Sequence, residues 1–244
     1  MRHSRSSMRK DRYYVQTQRP LNSLVFILPL LAIYHIGAYY YQDRRLLVPQ
    51  YVDWILVYFG APRAVLAPLV ILGVLFLQHL VRRDPWKLHG WALAGTLAES
   101  LASVLPLIFL ARLTGRAAGM FAQLTQPASF QLPPQMVLAI GAGIYEEFLF
   151  RLAYIALFMV LLVDVVGLKK EVTEVLAVLS GAVIFALCHF SWQQIGGDQA
   201  FDWARFLFLM LAGMAWGTLF LARGFGVAAG SHVFWDIYAT WVSA

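Results

Sequence analysis

The ionisable residues of this chain are few, and several of them lie inside apolar stretches. Side chains of the kinds that activate or bind water occur in three such stretches, at Glu146, Glu147, Arg151, His189, His232 and Asp236. A charged side chain in the middle of a membrane span costs at least ~2.5–3.5 kcal/mol on insertion scales, so it persists where it is paired or used. A carboxylate that meets two imidazoles can hold and activate one water molecule, directly or through a metal ion. We therefore expect Glu146, His189, His232 and Asp236 to converge.

The stretch GIYEEFLFRLAY places two adjacent carboxylates and an arginine in one apolar helix. Glu147 and Arg151 are four residues apart, so they share a helical face and can form an ion pair. Glu146 points about 100° away and has the apolar Phe150 as its i+4 neighbour. An unpaired carboxylate held away from water can serve as a general base. The alternative is a charge cluster that locks helices together. Glu99, in another apolar stretch, is expected to be an outer partner of the same site.

Each of the two histidines has a residue four positions away on its own helical face. Phe185 lies one turn before His189 in FALCHFSW, so the phenyl ring is expected to pack beside the imidazole. Asp236 lies one turn after His232 in GSHVFWDIYA, where it can orient the imidazole or share a ligand with it. Each histidine alone also fits a simpler role, as an interfacial residue or as half of a buried His–Asp hydrogen bond. Three separate placements of this kind favour a shared site.

These residues lie in a chain with the composition of a membrane protein. Hydrophobic residues make up 60% of its 244 residues and charged residues 13%, against about 45–50% and roughly 25% in soluble domains. A helix needs about 20 apolar residues to cross a ~30 Å hydrocarbon core. The sequence therefore predicts an all-α, polytopic membrane helix bundle of about seven to eight transmembrane helices. The predicted spans are 21–41, 64–82, 91–112, 135–163, 172–190, 203–222 and 226–243, with the apolar segment 46–60 as an interfacial or re-entrant helix or an eighth crossing.

The distribution of basic residues sets the expected orientation. Residues 1–20 hold six Lys and Arg against one acid. With this end in the cytoplasm, cytoplasmic segments carry about twice as many basic residues as the opposite ones, as the positive-inside rule requires. This topology explains the net charge of +6 without a nucleic-acid partner. We expect a basic cytoplasmic segment (1–20), N-terminal transmembrane helices (21–90) and a C-terminal core (91–244), in the lipid bilayer of the plasma (inner) membrane.

The predicted topology separates the two histidines in depth. His189 lies near the outer end of its span, whereas His232 lies about one and a half turns from the inner end of its own. At a rise of 1.5 Å per residue, their depths differ by more than ~10 Å. A shared site then requires that the span of His189 continues past Trp192, or that the last spans are tilted or shifted.

The motifs together resemble those of a known family, the CPBP intramembrane proteases. In order on successive late spans they are Glu146-Glu147-x3-Arg151, Phe185-x3-His189 and His232-x3-Asp236. The family includes the Rce1-like CAAX prenyl endopeptidases and bacterial relatives linked to bacteriocin processing and self-immunity. The resemblance covers roughly residues 90–243. It implies a multi-pass hydrolase, classed as a metalloprotease, that cleaves a membrane-embedded peptide or protein.

The resemblance also implies a role for each matching position. Glu146 and His189 activate the attacking water, and His232 and Asp236 bind or stabilise the tetrahedral oxyanion. Many members have asparagine at the last position, and an ionised aspartate cannot donate a hydrogen bond. The substitution favours a ligand or histidine-orienting role for Asp236. In one version of the mechanism Zn²⁺ is bound by Glu146, His189, His232 and Asp236, and in the other the glutamate acts without a metal.

A second hypothesis is a non-enzymatic membrane transporter or bacteriocin-immunity protein, whose buried charges relay protons or lock helices. Transporters of this kind often show paired halves and broken helices, and the sequence shows neither. The HExxH, GxGD and GxSG motifs of other intramembrane proteases are absent. The sequence leaves the substrate open among a prenylated C-terminus, a leader peptide and a helix end.

Overall fold

The computed structural model describes residues 13–41, 63–114 and 134–243, which form helices joined by turns. No strand occurs within these ranges. In chain order the helices are α1 (Pro20–Tyr40), α2 (Arg63–Arg82), α3 (Gly90–Ala102), α4 (Val104–Leu113), α5 (Pro134–Glu147), α6 (Tyr154–Met159), α7 (Lys170–Leu187), α8 (Trp192–Gly196), α9 (Trp203–Arg223) and α10 (Phe225–Ser243). The prediction of an all-α helical bundle is confirmed.

Several helices are long and apolar enough to cross a membrane. Among the described residues these are Pro20–Tyr40, Gly90–Leu113, Pro134–Val165 and Trp203–Arg223, and each of them corresponds to a predicted span. A shorter apolar helix covers Pro68–Arg82. Helices α7 and α10 occupy two further predicted spans, but they do not combine the length and the apolar composition of the four helices above. The chain is an integral membrane protein, and the number of its crossings stays a prediction, since segment 46–60 lies outside the described residues.

The helix that carries the two glutamates changes its pitch directly after them. The π-helical segment Phe148–Ala153 follows α5, and a second π-helical segment, Val160–Val165, follows α6. Short π-helical segments inside α-helices are rare and are frequent at functional sites. Because the first segment begins after Glu147, it sets the direction of Arg151 relative to the glutamates.

Helices α5 and α10 approach each other closely at Gly143. A Cβ atom on Gly143 would lie 2.6 Å from the backbone nitrogen of Val233, closer than real side chains come to a backbone. Gly213 serves the same purpose between α9 and α7, because a Cβ there would lie 3.1 Å from Cα of Ala182. Small residues at such crossings let membrane helices pack backbone to backbone. The contact at Gly143 brings together the helices that carry Glu146 and His232.

The start of α10 is held by residues from the first part of the chain. The backbone N–H of Gly226 donates to Ser23 Oγ in α1 at 2.9 Å. Ser100 Oγ in α3 donates to the carbonyl of Val227 at 3.2 Å. The first bond satisfies a backbone N–H that a helix N-terminus leaves without an internal partner. The second bond ties a backbone carbonyl at the start of α10 to α3. Helix α10 is thereby fixed against α1 and α3.

Buried apolar side chains form two clusters. One joins α1, α2, α5 and α10 and includes Ile27, Ile71, Ile144 and Val233. The other includes Phe150, Phe185, Trp216 and Trp235. The second cluster surrounds the ionisable residues that the motifs single out.

Candidate active site

The two adjacent glutamates of α5 face different partners. Glu147 is fully buried, and its Oε1 lies 3.1 Å from Nη1 of Arg151, which confirms the predicted i,i+4 ion pair. Glu146 is 7% exposed and faces two imidazoles instead. Successive residues of a helix point in directions about 100° apart, so the ion pair and the second carboxylate remain separate.

One oxygen of Glu146 is approached by both histidines. Its Oε2 lies 3.7 Å from Nε2 of His189 and 3.9 Å from Nε2 of His232. Oδ2 of Asp236 lies 3.5 Å from the same nitrogen of His232. The predicted convergence of the four side chains is therefore confirmed. The two distances from Glu146 exceed hydrogen-bond lengths, so its carboxylate lies near both rings without being bonded directly to either.

His189 lies beyond the end of α7, in the turn that leads to α8. Its Nδ1 lies 2.8 Å from the carbonyl oxygen of Phe185. A carbonyl oxygen only accepts, so Nδ1 carries a proton and donates it. In the neutral ring, Nε2 is then an acceptor, and it faces Glu146. Two acceptors placed side by side are complementary to the two O–H groups of one water molecule.

The two histidines are not separated in depth as the predicted topology required. Helix α7 ends at Leu187 and α8 is a separate helix, so the span does not continue past Trp192 as one element. His189 and His232 nevertheless reach the same oxygen of Glu146. The other alternative, tilted or shifted last spans, stays a prediction.

His232 is held by a partner that helical spacing did not indicate. Its Nδ1 lies 2.8 Å from Oε1 of Glu147, the oxygen that also pairs with Arg151. An ionised carboxylate only accepts, so Nδ1 donates and Nε2 is left to face Glu146 and Asp236. Glu147 therefore orients this ring through Nδ1, while Asp236 lies 3.5 Å from Nε2 and its predicted role stays a prediction. The structural ion pair and the candidate catalytic histidine are thus directly connected.

Trp216 belongs to the site and was not indicated by any motif. Its indole is almost fully buried and stacks on the imidazole of His232, with ring centroids 3.8 Å apart and planes at 14°. Its Nε1 donates to Ser231 Oγ at 3.3 Å. The sequence signal was its position between Gly213 and Gly217, where α9 must approach another helix closely. A large aromatic residue at such a crossing fills the space that the glycines leave beside it.

Phe185 packs beside His189 as predicted and reaches further into the site. Its ring centroid lies 4.7 Å from that of His189 and 5.9 Å from that of His232. The guanidinium of Arg151 lies 4.6 Å from the same phenyl ring, and its Nη2 donates to the carbonyl of Gly213 at 3.3 Å. Aromatic faces stabilise a neighbouring cation. Phe185 thus separates the arginine from the histidines while contacting all three.

Glu99 lies elsewhere, so its expected role as an outer partner of the site is wrong. It accepts two hydrogen bonds from Arg223, from Nε and from Nη2, both of 2.8 Å. The rings of Tyr13 and Tyr14 lie 5.1 and 4.1 Å from the centre of that guanidinium. The cation that pairs with this glutamate lies at the end of another helix, α9. Spacing within one helix therefore does not predict the pair.

A comparison with protein families assigns the part of the chain that holds the site. Residues 128–238 match the family model described as type II CAAX prenyl endopeptidase, Rce1-like. These residues are similar to the Rce1-like family. The matched segment runs from before Glu146 to beyond Asp236, so the family and the geometry single out the same region. No curated protein and no solved structure matches the chain. At the level of the family, this match supports an intramembrane protease of the CAAX type.

The Rce1-like residues contain the donor types of a zinc site. The hydrogen bond from His232 to Glu147 is of the kind that supports a metal-bound imidazole. In the part of the chain that the structure describes, however, no three His, Cys, Asp or Glu side chains are placed to hold a metal ion together. The chemical types of these donors fit a metal ion, and zinc binding by Glu146, His189, His232 and Asp236 stays a prediction.

Proposed function

We propose that this protein is an intramembrane endopeptidase that hydrolyses peptide bonds with water activated by Glu146 and His189. The observation that carries the proposal is the approach of two imidazole Nε2 atoms to one buried carboxylate oxygen, at 3.7 and 3.9 Å. A buried carboxylate without a cation of its own is unfavourable in a membrane unless it is used. The Rce1-like match supports the same activity.

In the first step the water lies between Glu146 and His189. It donates one hydrogen to the carboxylate and the other to Nε2 of the imidazole, and a lone pair on its oxygen faces the substrate. As this oxygen bonds to the carbonyl carbon, Glu146 takes a proton and the carbonyl π electrons move to oxygen. The product of the step is a tetrahedral intermediate with a negative oxygen.

In the second step His232 stabilises that oxygen. In its protonated form the imidazole donates from Nδ1 to Glu147 and from Nε2 to the oxyanion. The stack on Trp216 fixes the plane of the ring, so the Nε2 hydrogen is already aimed before the charge develops. One such donor contributes ~2.7–4 kcal/mol to the transition state. Asp236, when ionised, would repel the oxyanion, and we assign it to the imidazolium of His232.

In the last step the intermediate collapses. Glu146 delivers the proton that it took from water to the amide nitrogen, and the C–N bond breaks. An amine and a carboxylic acid leave, and Glu146 is ionised again. One water molecule is consumed, and each of its atoms appears in the products.

The proposed substrate is a membrane-associated peptide or protein, because the site lies inside a bundle of helices that are long and apolar enough to cross a membrane. A peptide bond within a regular helix has its carbonyl engaged in a hydrogen bond, so the cleaved segment must be locally unwound. We place the protein in the plasma membrane with its N-terminus in the cytoplasm, following its basic segment.

The test is cleavage of defined peptides by the full chain in phospholipid nanodiscs. The panel holds a peptide with a prenylated C-terminus, the same peptide without the prenyl group, and a bacteriocin-type leader peptide, each incubated with and without a metal chelator. Mass spectrometry of the products identifies the bond. We expect cleavage that the chelator leaves unchanged. Cleavage that the chelator abolishes and zinc restores would replace the proposed mechanism with a metal-dependent one, and cleavage of no peptide by the folded protein would count against the proposal.

A further inference from the structure

A cavity separate from the candidate active site opens at one end of the bundle. It has a volume of about 540 Å³, within the range of small-molecule sites of roughly 300–1,000 Å³. It lies where α2 and α9 end and where α1 and α10 begin, with Leu152 contributing from the π-helical segment. None of the four side chains that meet at Glu146 lines it. The cavity is therefore distinct from the candidate active site.

One face of α2 gives the cavity an apolar interior and a cationic rim. Leu75, Gln78 and Arg82 all line it, and their spacing of three and four residues places them on one side of the helix. Leu75 is almost fully buried, whereas half of the Arg82 side chain is exposed. From the interior to the helix end, this face therefore changes from apolar to polar to charged. Phe220 of α9 adds to the apolar wall.

The guanidinium at the rim is held in place rather than free to swing into solvent. Nη1 of Arg82 donates to the carbonyl of Gln18 at 3.4 Å, and Nε lies 3.2 Å from Oδ2 of Asp84. Two more cations, Arg83 and Lys87, are exposed in the same turn. Arg82 is the cation that lines the cavity, and Arg83 and Lys87 lie outside the lining, so the contact charge that favours an anion is that of Arg82.

We propose that the cavity binds an anionic phospholipid. Its phosphate contacts Arg82 and the Gln78 amide, and one acyl chain lies along Leu75, Leu152 and Phe220. Basic pockets between transmembrane helices recognise acidic lipid headgroups in this way. An amphiphile matches both parts of the cavity, whereas a free phosphate leaves the apolar walls without a ligand.

The position of the cavity gives the lipid a structural effect. Gly224 and Phe225, which join α9 to α10, also line it. Gly224 has a φ of +88°, a backbone conformation that side-chain-bearing residues rarely adopt. A lipid bound at this junction stabilises the folded conformation of the turn. Binding should therefore raise the thermal stability of the whole protein, whether or not the protein cleaves peptides.

The experiment measures thermal unfolding of the full chain in detergent, titrated with phosphatidylglycerol or with phosphatidylcholine of the same acyl chains. We expect phosphatidylglycerol to raise the unfolding temperature in a saturable manner and to bind at least tenfold more tightly than phosphatidylcholine. Arg82→Gln should weaken phosphatidylglycerol binding by roughly tenfold, the effect of losing one charge-assisted hydrogen bond. Leu77→Trp, which places a bulky ring against the lined wall, should weaken it as well.

Two matched variants make the result specific. Arg83→Gln removes the same charge from the next, equally exposed residue, which does not line the cavity, and Leu80→Trp adds the same ring on α2 away from it. Both should bind as the wild type does. The proposal is overturned if Arg83→Gln weakens binding as much as Arg82→Gln, if phosphatidylcholine binds equally well, or if soluble glycerophosphoglycerol produces the whole shift. The last outcome would identify a phosphate site without a lipid.

Discussion

Two glutamate–arginine pairs lie inside this bundle, and they differ in what surrounds them. Glu99 and Arg223 form a two-pronged pair with both contacts at 2.8 Å, and about a third of the glutamate side chain is exposed. Glu147 and Arg151 are fully buried and share one contact of 3.1 Å. The first pair satisfies both carboxylate oxygens with one arginine. The second leaves its glutamate to accept a further hydrogen bond from a histidine.

The difference separates a charge pair that lies away from the candidate active site from one that is hydrogen-bonded to a residue of that site. Arg223 is flanked by tyrosine rings, and among the described residues Glu99 is the carboxylate to which it is hydrogen-bonded. Glu147, in contrast, lies beside Glu146, which has no arginine within ion-pair distance among the described residues. His232 contacts both glutamates, because its Nδ1 is bonded to Glu147 and its Nε2 faces Glu146. A buried ion pair by itself says little about function, since it can be replaced without loss of stability when both partners go. The unpaired carboxylate next to the pair is what indicates chemistry.

The largest effect is expected from breaking the buried pair. Arg151→Ala strands the Glu147 carboxylate inside the bundle and should lower the free energy of unfolding by ~3–5 kcal/mol. The measurement is thermal unfolding and the folded yield on size-exclusion chromatography. Lys170→Ala is the matched control, because Lys170 and Glu174 form an i,i+4 pair of 3.7 Å at the surface. A well-folded Arg151→Ala protein without activity would show that the arginine acts in the chemistry instead.

The next effect is on activity alone. Glu146→Gln keeps the size of the side chain but cannot take a proton from water, so cleavage should fall by at least ~10²-fold. The unfolding temperature should remain close to that of the wild type, since no ion pair is broken. Glu171→Gln, an exposed carboxylate at the start of α7, serves as the control. If Glu146→Gln cleaves as the wild type does, Glu146 has no part in the mechanism.

A smaller effect is expected at the aromatic stack. Trp216→Leu removes the ring that fixes the plane of His232 and should lower kcat by up to roughly tenfold, in line with the ~0.5–1.5 kcal/mol of an aromatic pair. Trp216→Phe retains a ring and should recover most of this loss. KM should change little in either variant, because Trp216 does not face the substrate. Equal losses in the two variants would show that the residue contributes volume rather than orientation.

The smallest effect is expected at the other pair. Glu99→Gln weakens the contact with Arg223, and because about a third of the glutamate side chain is exposed, the free energy of unfolding should fall by about 1 kcal/mol or less. Cleavage per folded molecule should stay at the wild-type level. A loss of activity at unchanged stability would link this pair to the active site and would end the distinction between the two pairs.

The contacts that the sequence predicted are those within single helices. The pairs Glu147–Arg151 and His232–Asp236 follow from a spacing of four residues, because the geometry of a helix fixes which side chains share a face. Phe185 and His189 follow from the same rule. The convergence of the site was also predictable, because ionisable side chains in separate apolar spans are costly unless they interact with one another.

The contacts that the sequence did not predict join separate helices. His232 and Glu147 are 85 residues apart, and Arg223 and Glu99 are 124 apart. Which faces meet depends on where small residues such as Gly143 let backbones approach, and the residue types alone do not give that choice. The π-helical segment after Glu147 has no sequence signal either, because a change of pitch depends on the packing of its neighbours.

The hydrogen bond between Ser23 and Gly226 spans 203 residues, and it bears on when the protein becomes active during biogenesis. A chain synthesised from its N-terminus inserts α1 first and α10 last. Until the last helix arrives, Ser23 has no Gly226 to bind, Gly143 has no Val233 to pack against, and Glu146 lacks one of its two imidazoles. The proposed active site is therefore completed only when translation of the helical bundle ends. A nascent chain that lacks α10 is therefore expected to be without the proposed peptidase activity.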